Sequence, residues 1–287
     1  MRDAASTTTH LRRVIMKFAI CNETFQDWPF DRAFAFAAEC GYTGLEMAPF
    51  TIDTDVRKIT PSQRDEVCRQ AEAAGLDIIG LHWLLAKTEG FYLTTPDADV
   101  RRRTAEYLKD LARLCRDFGG SVMVLGSPLQ RILLPGVTND EAMKYAAEVL
   151  QHAMPVCEEL DVTIALEPLS PEWGPFLNTA AEGVQLMEMV GSNNCRLHLD
   201  CIAMATEPTP IPELLRRHRR EMVHLHVNDP NKQGPGMGKL DFKPIFEALG
   251  EIDYRGWVSV EVFDYTPGPE RLARESIEYM RRVLAAT

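Results

Sequence analysis

Val162-Thr163-Ile164-Ala165-Leu166-Glu167 reads as a short strand that ends on an acid. Side chains alternate faces along a strand, so Val162, Ile164 and Leu166 share one face while Thr163, Ala165 and Glu167 share the other. The same pattern returns downstream in Cys195-Arg196-Leu197-His198-Leu199-Asp200, Met222-Val223-His224-Leu225-His226 and Trp257-Val258-Ser259-Val260-Glu261. In these runs Leu197 and Leu199, Val223 and Leu225, and Val258 and Val260 form a greasy parity suited to a covering layer of helices. The polar parity, Arg196, His198 and Asp200, His224 and His226, Ser259 and Glu261, then faces the axis of a barrel. The runs are spaced by about one strand-plus-helix unit of a (β/α)₈ barrel, which predicts a metal site at the barrel mouth.

Strand-like runs at 17–22, 43–47, 77–82, 121–126, 162–167, 195–200, 222–227 and 257–262 supply the eight that closure requires. Helical periodicity or helix-start signals fill 31–40, 61–74, 97–118, 139–160, 179–190, 210–218, 242–249 and 269–284, and Gly41, Gly75, Gly119 and Gly191 stand where helices should stop. An open doubly wound sheet would show the same alternation, but its phosphate-binding glycine fingerprint after an early strand is missing. The pattern therefore predicts an α/β protein made of a single (β/α)₈ TIM barrel over residues 16–287. Residues 1–15 are polar, lack the apolar run of a signal peptide or membrane span, and read as a disordered extension; Met16 is an alternative start.

A net charge of −11 over 287 residues opposes long-range attraction to nucleic acid or to an anionic membrane. The seven cysteines, at 21, 40, 68, 115, 157, 195 and 201, include no C-x-x-C pair, and the chain is long enough to fold without disulfides. They read as reduced, mostly buried thiols of a cytoplasmic protein. A small-molecule substrate is the expected partner, and the reading leaves a homo-oligomer open.

Barrel chemistry concentrates at the carboxyl ends of strands, here Asn22, Glu46, His82, Gly126, Glu167, Asp200, His226 and Glu261. Three carboxylates converging with one imidazole would repel one another without a cation, so Glu167, Asp200, His226 and Glu261 are assigned as ligands of one divalent metal ion. The oxygen-rich donor set favours Mn²⁺, with Mg²⁺, Co²⁺, Fe²⁺, Ni²⁺ or Zn²⁺ as substitutes. Four side-chain ligands leave two positions of a six-coordinate ion for the adjacent oxygens of a hydroxy-ketone. Glu167 and Glu261 then form the catalytic pair that removes and returns a proton through a metal-stabilised enediolate.

Glu167-Pro168-Leu169, Leu199-Asp200, His224-Leu225-His226-Val227-Asn228-Asp229, Gly234-Pro235-Gly236, Asp241-Phe242 and Trp257-Val258-Ser259-Val260-Glu261 together resemble the xylose isomerase-like barrel superfamily, and within it the sugar phosphate isomerase/epimerase branch. The resemblance runs from about Lys17 to the last helix. It implies a metal held at Glu167, Asp200, His226 and Glu261, with the two glutamates as acid and base, and a sugar isomerase or epimerase activity.

Departures from the ketose 3-epimerase pattern fall in the substrate motif. Ser170-Pro171-Glu172-Trp173 replaces the segment that carries an Arg and a Glu there; Ala203 stands where a His is usual, and Lys232 where an Arg is common. Glu46, His82, Trp83, Arg131 and Lys232 are the candidate substrate contacts. Trp83 is placed to stack on a sugar's C–H face, and Arg131 and Lys232 to grip a carboxylate or phosphate. His198 and His224 face inward one layer deeper and are read as supports for the ligand carboxylates. The loop from Gly234 to Gly238 reads as a lid or a surface turn. Lyase or dehydratase chemistry on a keto-cyclitol or keto acid is the alternative activity. A nuclease like endonuclease IV is remote, because its extra zinc-binding histidines are absent and Gly126-Ser127-Pro128 stands in place of a His-Pro-Gly run.

Overall fold

The computed structural model describes residues 16–287. The extension anticipated at 1–15 lies outside the described residues. Eight parallel strands, β1 (Lys17–Cys21), β2 (Gly44–Met47), β3 (Asp77–Leu81), β4 (Val122–Leu125), β5 (Thr163–Leu166), β6 (Cys195–Asp200), β7 (Met222–Val227) and β8 (Trp257–Val260), close in sequence order, with β1 pairing both β2 and β8. The closed barrel anticipated from alternation is therefore the observed fold, with every expected strand within two residues of its observed ends.

Around the strands lie α1 (Phe30–Cys40), α2 (Pro61–Ala73), α3 (Ala98–Asp117), α4 (Asn139–Glu159), α5 (Ala180–Val190), α6 (Cys201–Met204), α7 (Ile211–Arg217), α8 (Lys243–Glu251) and α9 (Pro269–Ala285). Their ends follow local chemistry. Thr60, Thr138 and Thr179 each open a helix with a reciprocal capping box to Gln63, Glu141 and Glu182, satisfying backbone donors that have no partner inside the helix. Gly41 and Gly191 close α1 and α5 in the left-handed conformation, at φ 100° and 73°. The short α6 was not legible from periodicity, because four residues give too little of a helical repeat. It starts where Asp200 ends β6 and accepts the Ala203 N–H at 2.9 Å.

The parity reading holds in three dimensions. Leu197, fully buried, packs outward beneath α5, where a Cβ on Gly183 would lie 2.6 Å from its Cδ1. His224 of β7 reaches Glu46 of β2 at 2.8 Å, although those strands are not neighbours, so both side chains cross the barrel interior. Register shifts at Leu45/Glu46 and at Leu197/His198 break the ladder where two of these inward polar residues begin, as bulges do when they re-aim a side chain. Among the described residues no helix is long and apolar enough to cross a membrane.

Truncating Leu197 removes buried contacts between barrel and helix without touching the polar interior. Leu197→Ala is expected to cost about 2–5 kcal/mol in urea unfolding; a loss below about 1 kcal/mol would contradict the outward packing assigned to this parity.

Candidate metal centre

Glu167 and Glu261 each follow the last residue of their strands, β5 and β8, while Asp200 closes β6 and His226 lies one residue from the end of β7. Asp200 pairs in register with His226, and His226 with Ser259, two residues before Glu261. Ligand atoms of Glu167, Asp200, His226 and Glu261 lie within 4.8 Å of one another, and all four residues are buried.

Such a cluster is electrostatically expensive in the absence of a cation. Burial, then the charge of Glu261, pushes the Glu167 carboxyl well above its usual range and lifts Asp200 to about 6. Glu261 is held below its usual value, because the His226 charge and hydrogen bond outweigh the burial that would raise it. His226 is correspondingly raised, since Glu46 and Glu261 overcome burial. Three oxygen donors and one ring nitrogen converging under mutual repulsion fit a divalent cation, which would relieve the repulsion and accept all four.

Surrounding groups fix each donor. Asp200 accepts from Asn228 Nδ2 at 2.6 Å as well as from the Ala203 amide, and Asn228 in turn accepts the Ile202 N–H at 2.9 Å. Glu261 Oε1 accepts the Trp83 indole N–H at 2.7 Å, and its Oε2 lies 2.9 Å from His226 Nδ1. The other His226 nitrogen, Nε2, lies 3.1 Å from Glu46 Oε2. A proton shared there leaves Nδ1, on the Glu261 side, as the nitrogen able to ligate. The Glu167 carboxylate occupies the space left by Gly126, where a Cβ would stand 1.5 Å from Glu167 Oε2. Only glycine at the end of β4 allows that approach.

The remaining candidates divide by depth. Glu46 does not face the cavity at the mouth: it is fully buried and takes both His224 and His226 on one oxygen. His224 thus acts through Glu46, whereas His198 sits beneath the ligands with its Nε2 3.7 Å from Glu167 Oε1, too long for a hydrogen bond. Burial and the neighbouring His226 and His224 push the His198 imidazole well down, so it stays neutral there. His82 pairs with Glu23 at 2.6 Å and, with Trp83, borders the cavity over the ligands. Arg131 is buried and donates through Nη1 to the Glu167 carbonyl at 2.7 Å. Burial draws its guanidinium down to about 10, against the pull of Glu167, so it remains a cation at neutral pH. Lys232 is at the rim, its Nζ 4.9 Å from the Trp173 ring and 3.4 Å from Glu172 Oε1. Asp229 ties down the Gly234–Gly238 loop by accepting the Gly236 and Leu240 amides at 2.9 Å each.

Sequence reasoning passed over several members of the site. Trp173 and Phe263, with ring centroids 5.9 Å apart, and Trp83, 6.1 Å from Phe263, build an aromatic wall that Pro128 and Leu169 extend. Glu23, Asn228 and Phe263 each lie two residues beyond an inward-facing residue, Cys21, His226 and Glu261. Carrying the alternation past the strand ends would have found them. The cysteine expectation holds in part: all seven thiols are free, and Cys68 is the one not fully buried. Burial pushes the Cys21 thiol, beneath the centre, up to about 11.

Eight parallel strands closed into one barrel, with a carboxylate-rich cluster at its mouth, define a TIM-barrel protein. A family model for xylose isomerase-like TIM barrels matches residues 34–283, and the chain belongs to that family. It is 26% identical over 274 residues to a probable ketose 3-epimerase of Synechocystis sp., covering 87% of this chain and 89% of the relative. It is 27% identical over 248 residues to a D-psicose 3-epimerase of Ruminiclostridium cellulolyticum, covering 83% and 80%. Among solved structures, a D-psicose 3-epimerase with D-tagatose from Clostridium cellulolyticum superposes with a TM-score of 0.80 at 23% identity, over 94% of this chain and 99% of the other.

Metal retention should depend on the Gly126 space as much as on a ligand. Saturation with Mn²⁺ to about a hundredfold over its Kd is expected to raise Tm by roughly 5–10 °C. Gly126→Ala and Asp200→Asn should each lose most of that rise; an undiminished rise in both would contradict this arrangement.

Proposed function

We propose that the chain is a divalent-metal-dependent epimerase of a sugar or sugar-like hydroxy-ketone, holding Mn²⁺ through Glu167, Asp200, His226 and Glu261. The reading rests on one observation above others: two glutamate carboxylates, delivered by strands three positions apart around the ring, border the same small space. Epimerisation by proton transfer needs a group on each face of the reacting carbon, one to accept the proton and one to deliver its replacement. Glu167 and Glu261 meet that need, whereas a single carboxylate would return the proton to the face it left.

When bound, the cation polarises the substrate carbonyl and acidifies the adjacent C–H. The Trp83 indole N–H fixes Glu261 at 2.7 Å and so sets the direction from which that carboxylate meets the substrate. Trp83, Trp173 and Phe263 offer flat apolar faces to sugar C–H groups and keep water from the reacting carbon. Lys232 and Glu172 brace Trp173 from the rim. The relatives named as ketose and psicose 3-epimerases support a ketose-like substrate, and the free thiols suit a reducing cytoplasm.

Incubation with a panel of ketoses and keto-cyclitols in heavy water, at Mn²⁺ concentrations that saturate each variant, tests this reading. Wild type should place deuterium at the carbon beside the carbonyl with no loss of water. Glu167→Gln and Glu261→Gln should each reduce exchange by about 10²–10⁴-fold, while Lys87→Ala, whose Nζ rests 4.1 Å over Phe50, should stay close to wild type. Full exchange in either glutamine variant, or a product lighter by one water, would reject the proposal.

A further inference from the structure

The cavity over Glu167 and Glu261 is too small for the molecule it has to receive. Its open space, walled by Trp83, Pro128, Leu169, Trp173 and Phe263, amounts to about 30 Å³. That is room for a water or two. Pockets that take small molecules run to roughly 300–1,000 Å³, so a hydroxy-ketone enters only after part of the wall has moved away.

Two of the three aromatic walls are tied. Trp83 donates its indole N–H to Glu261 at 2.7 Å, so moving it would release a ligand carboxylate, and the Phe263 amide is bonded to the Lys232 carbonyl at 2.8 Å. Trp173 stands instead on a single turn, Pro171–Trp173, whose backbone hydrogen bonds stay within the segment. The Trp173 amide reaches the Ser170 carbonyl at 3.0 Å, and the Gly174 amide the Pro171 carbonyl at 3.2 Å. Ser170 and Phe176 on either side are buried, whereas Pro171, Glu172 and Pro175 are exposed. Below the turn, Leu169 bonds to Leu177, amide to carbonyl, at 2.9 Å, and Asn178 Nδ2 donates to the Leu169 and Gly174 carbonyls at 2.8 Å each. Gly174 has φ of 142°, which a residue with a Cβ rarely adopts, and the nearest atom a Cβ there would meet is Ile132 Cγ1 at 3.8 Å. The turn is therefore free to tilt about Ser170 and Gly174 while its base stays fixed.

Lys232 holds the tip down. Its Nζ lies 3.4 Å from Glu172 Oε1 and 4.9 Å from the Trp173 ring, so one cation clasps two neighbouring residues of the turn. The post itself is fixed: the Lys232 amide bonds to the Asp229 carbonyl, and its carbonyl receives the Phe263 and Asp264 amides, all at 2.8 Å. Lys232 and Glu172 are both about half exposed, which leaves the pair weak and sensitive to salt. Such a contact favours closure without preventing opening.

We propose that Pro171–Trp173 is a lid over the metal centre, latched by Lys232, and that it opens in the free protein to admit the substrate. A guest that does not fit the closed cavity has to find the open form already populated. The inference rests on the epimerase reading for the kind of guest, and on the turn and its latch for the motion. Lys232 is then a positioning residue that acts through Trp173 and Glu172, in place of a grip on a substrate anion.

Fluorine NMR of protein labelled with 5-fluorotryptophan reads the motion without a ligand. Relaxation dispersion should show the Trp173 signal, assigned with Trp173→Phe, exchanging on the µs–ms scale, and Trp257, at the start of β8, quiet. Lys232→Met, which removes the charge and keeps the stem, should raise the open population roughly 3–30-fold over wild type. Lys232→Arg should stay near wild type, and about 1 M NaCl should move wild type toward Glu172→Gln. A Trp173 signal without exchange in Lys232→Met, an open population there no larger than in wild type, or an equal rise in Lys232→Arg overturns the proposal. Deuterium uptake by the ketose panel on the same samples separates the two readings: a moving Trp173 with no uptake keeps the lid and sinks the epimerase, and uptake with Trp173 fixed does the reverse.

Discussion

The mutual repulsion of Glu167, Asp200 and Glu261, gathered with His226 within 4.8 Å and closed off from solvent, sets the terms for the rest of the barrel. Like charges in a low-dielectric space do not remain together unless the scaffold holds them and a counter-charge rewards it. Closure provides the first condition. Each of the four stands at or beside the end of a strand that is hydrogen-bonded to a neighbour on both sides, which fixes its backbone at the mouth.

Beneath the cluster, the polar interior works as a set of braces. Glu46 receives two imidazoles and is itself held well below the usual carboxylate range, as His224 and His226 overcome the burial that opposes ionisation. Asn228 and the first turn of α6 share Asp200, and Trp83 fixes Glu261. The backbone of Trp83 has φ of 52°, an unusual conformation for a bulky residue, and Lys232 has φ of 70° with its carbonyl receiving the Phe263 and Asp264 amides at 2.8 Å. Backbone strain of this kind, at two residues that border the mouth, belongs with positioning and persists because neighbouring contacts over-determine it.

Most of the fold was legible because two periodicities do not interfere. Apolar alternation marked the strands, helical periodicity and terminal glycines marked the helices, and the count of strands gave closure. The four clustered residues were legible for the same reason: inward parity at strand ends is a geometric consequence of the pleat. What sequence left hidden depends on distances between residues far apart in the chain. Glu46 stood at a strand end like the others, yet a bulge beside it and the reach of His224 turn it into an internal support. The need for Gly126 arises only from the Glu167 carboxylate lying against it, and the Trp173–Phe263 wall joins loops some ninety residues apart.

Anomalous diffraction at the manganese edge, from crystals equilibrated with Mn²⁺, addresses the cation directly. Expected is one strong peak bounded by the carboxylates of Glu167, Asp200 and Glu261 and by His226 Nδ1. A peak placed instead among Cys21, Glu23 and His82, or no peak under saturating Mn²⁺, would contradict the assignment of these four side chains as the metal centre.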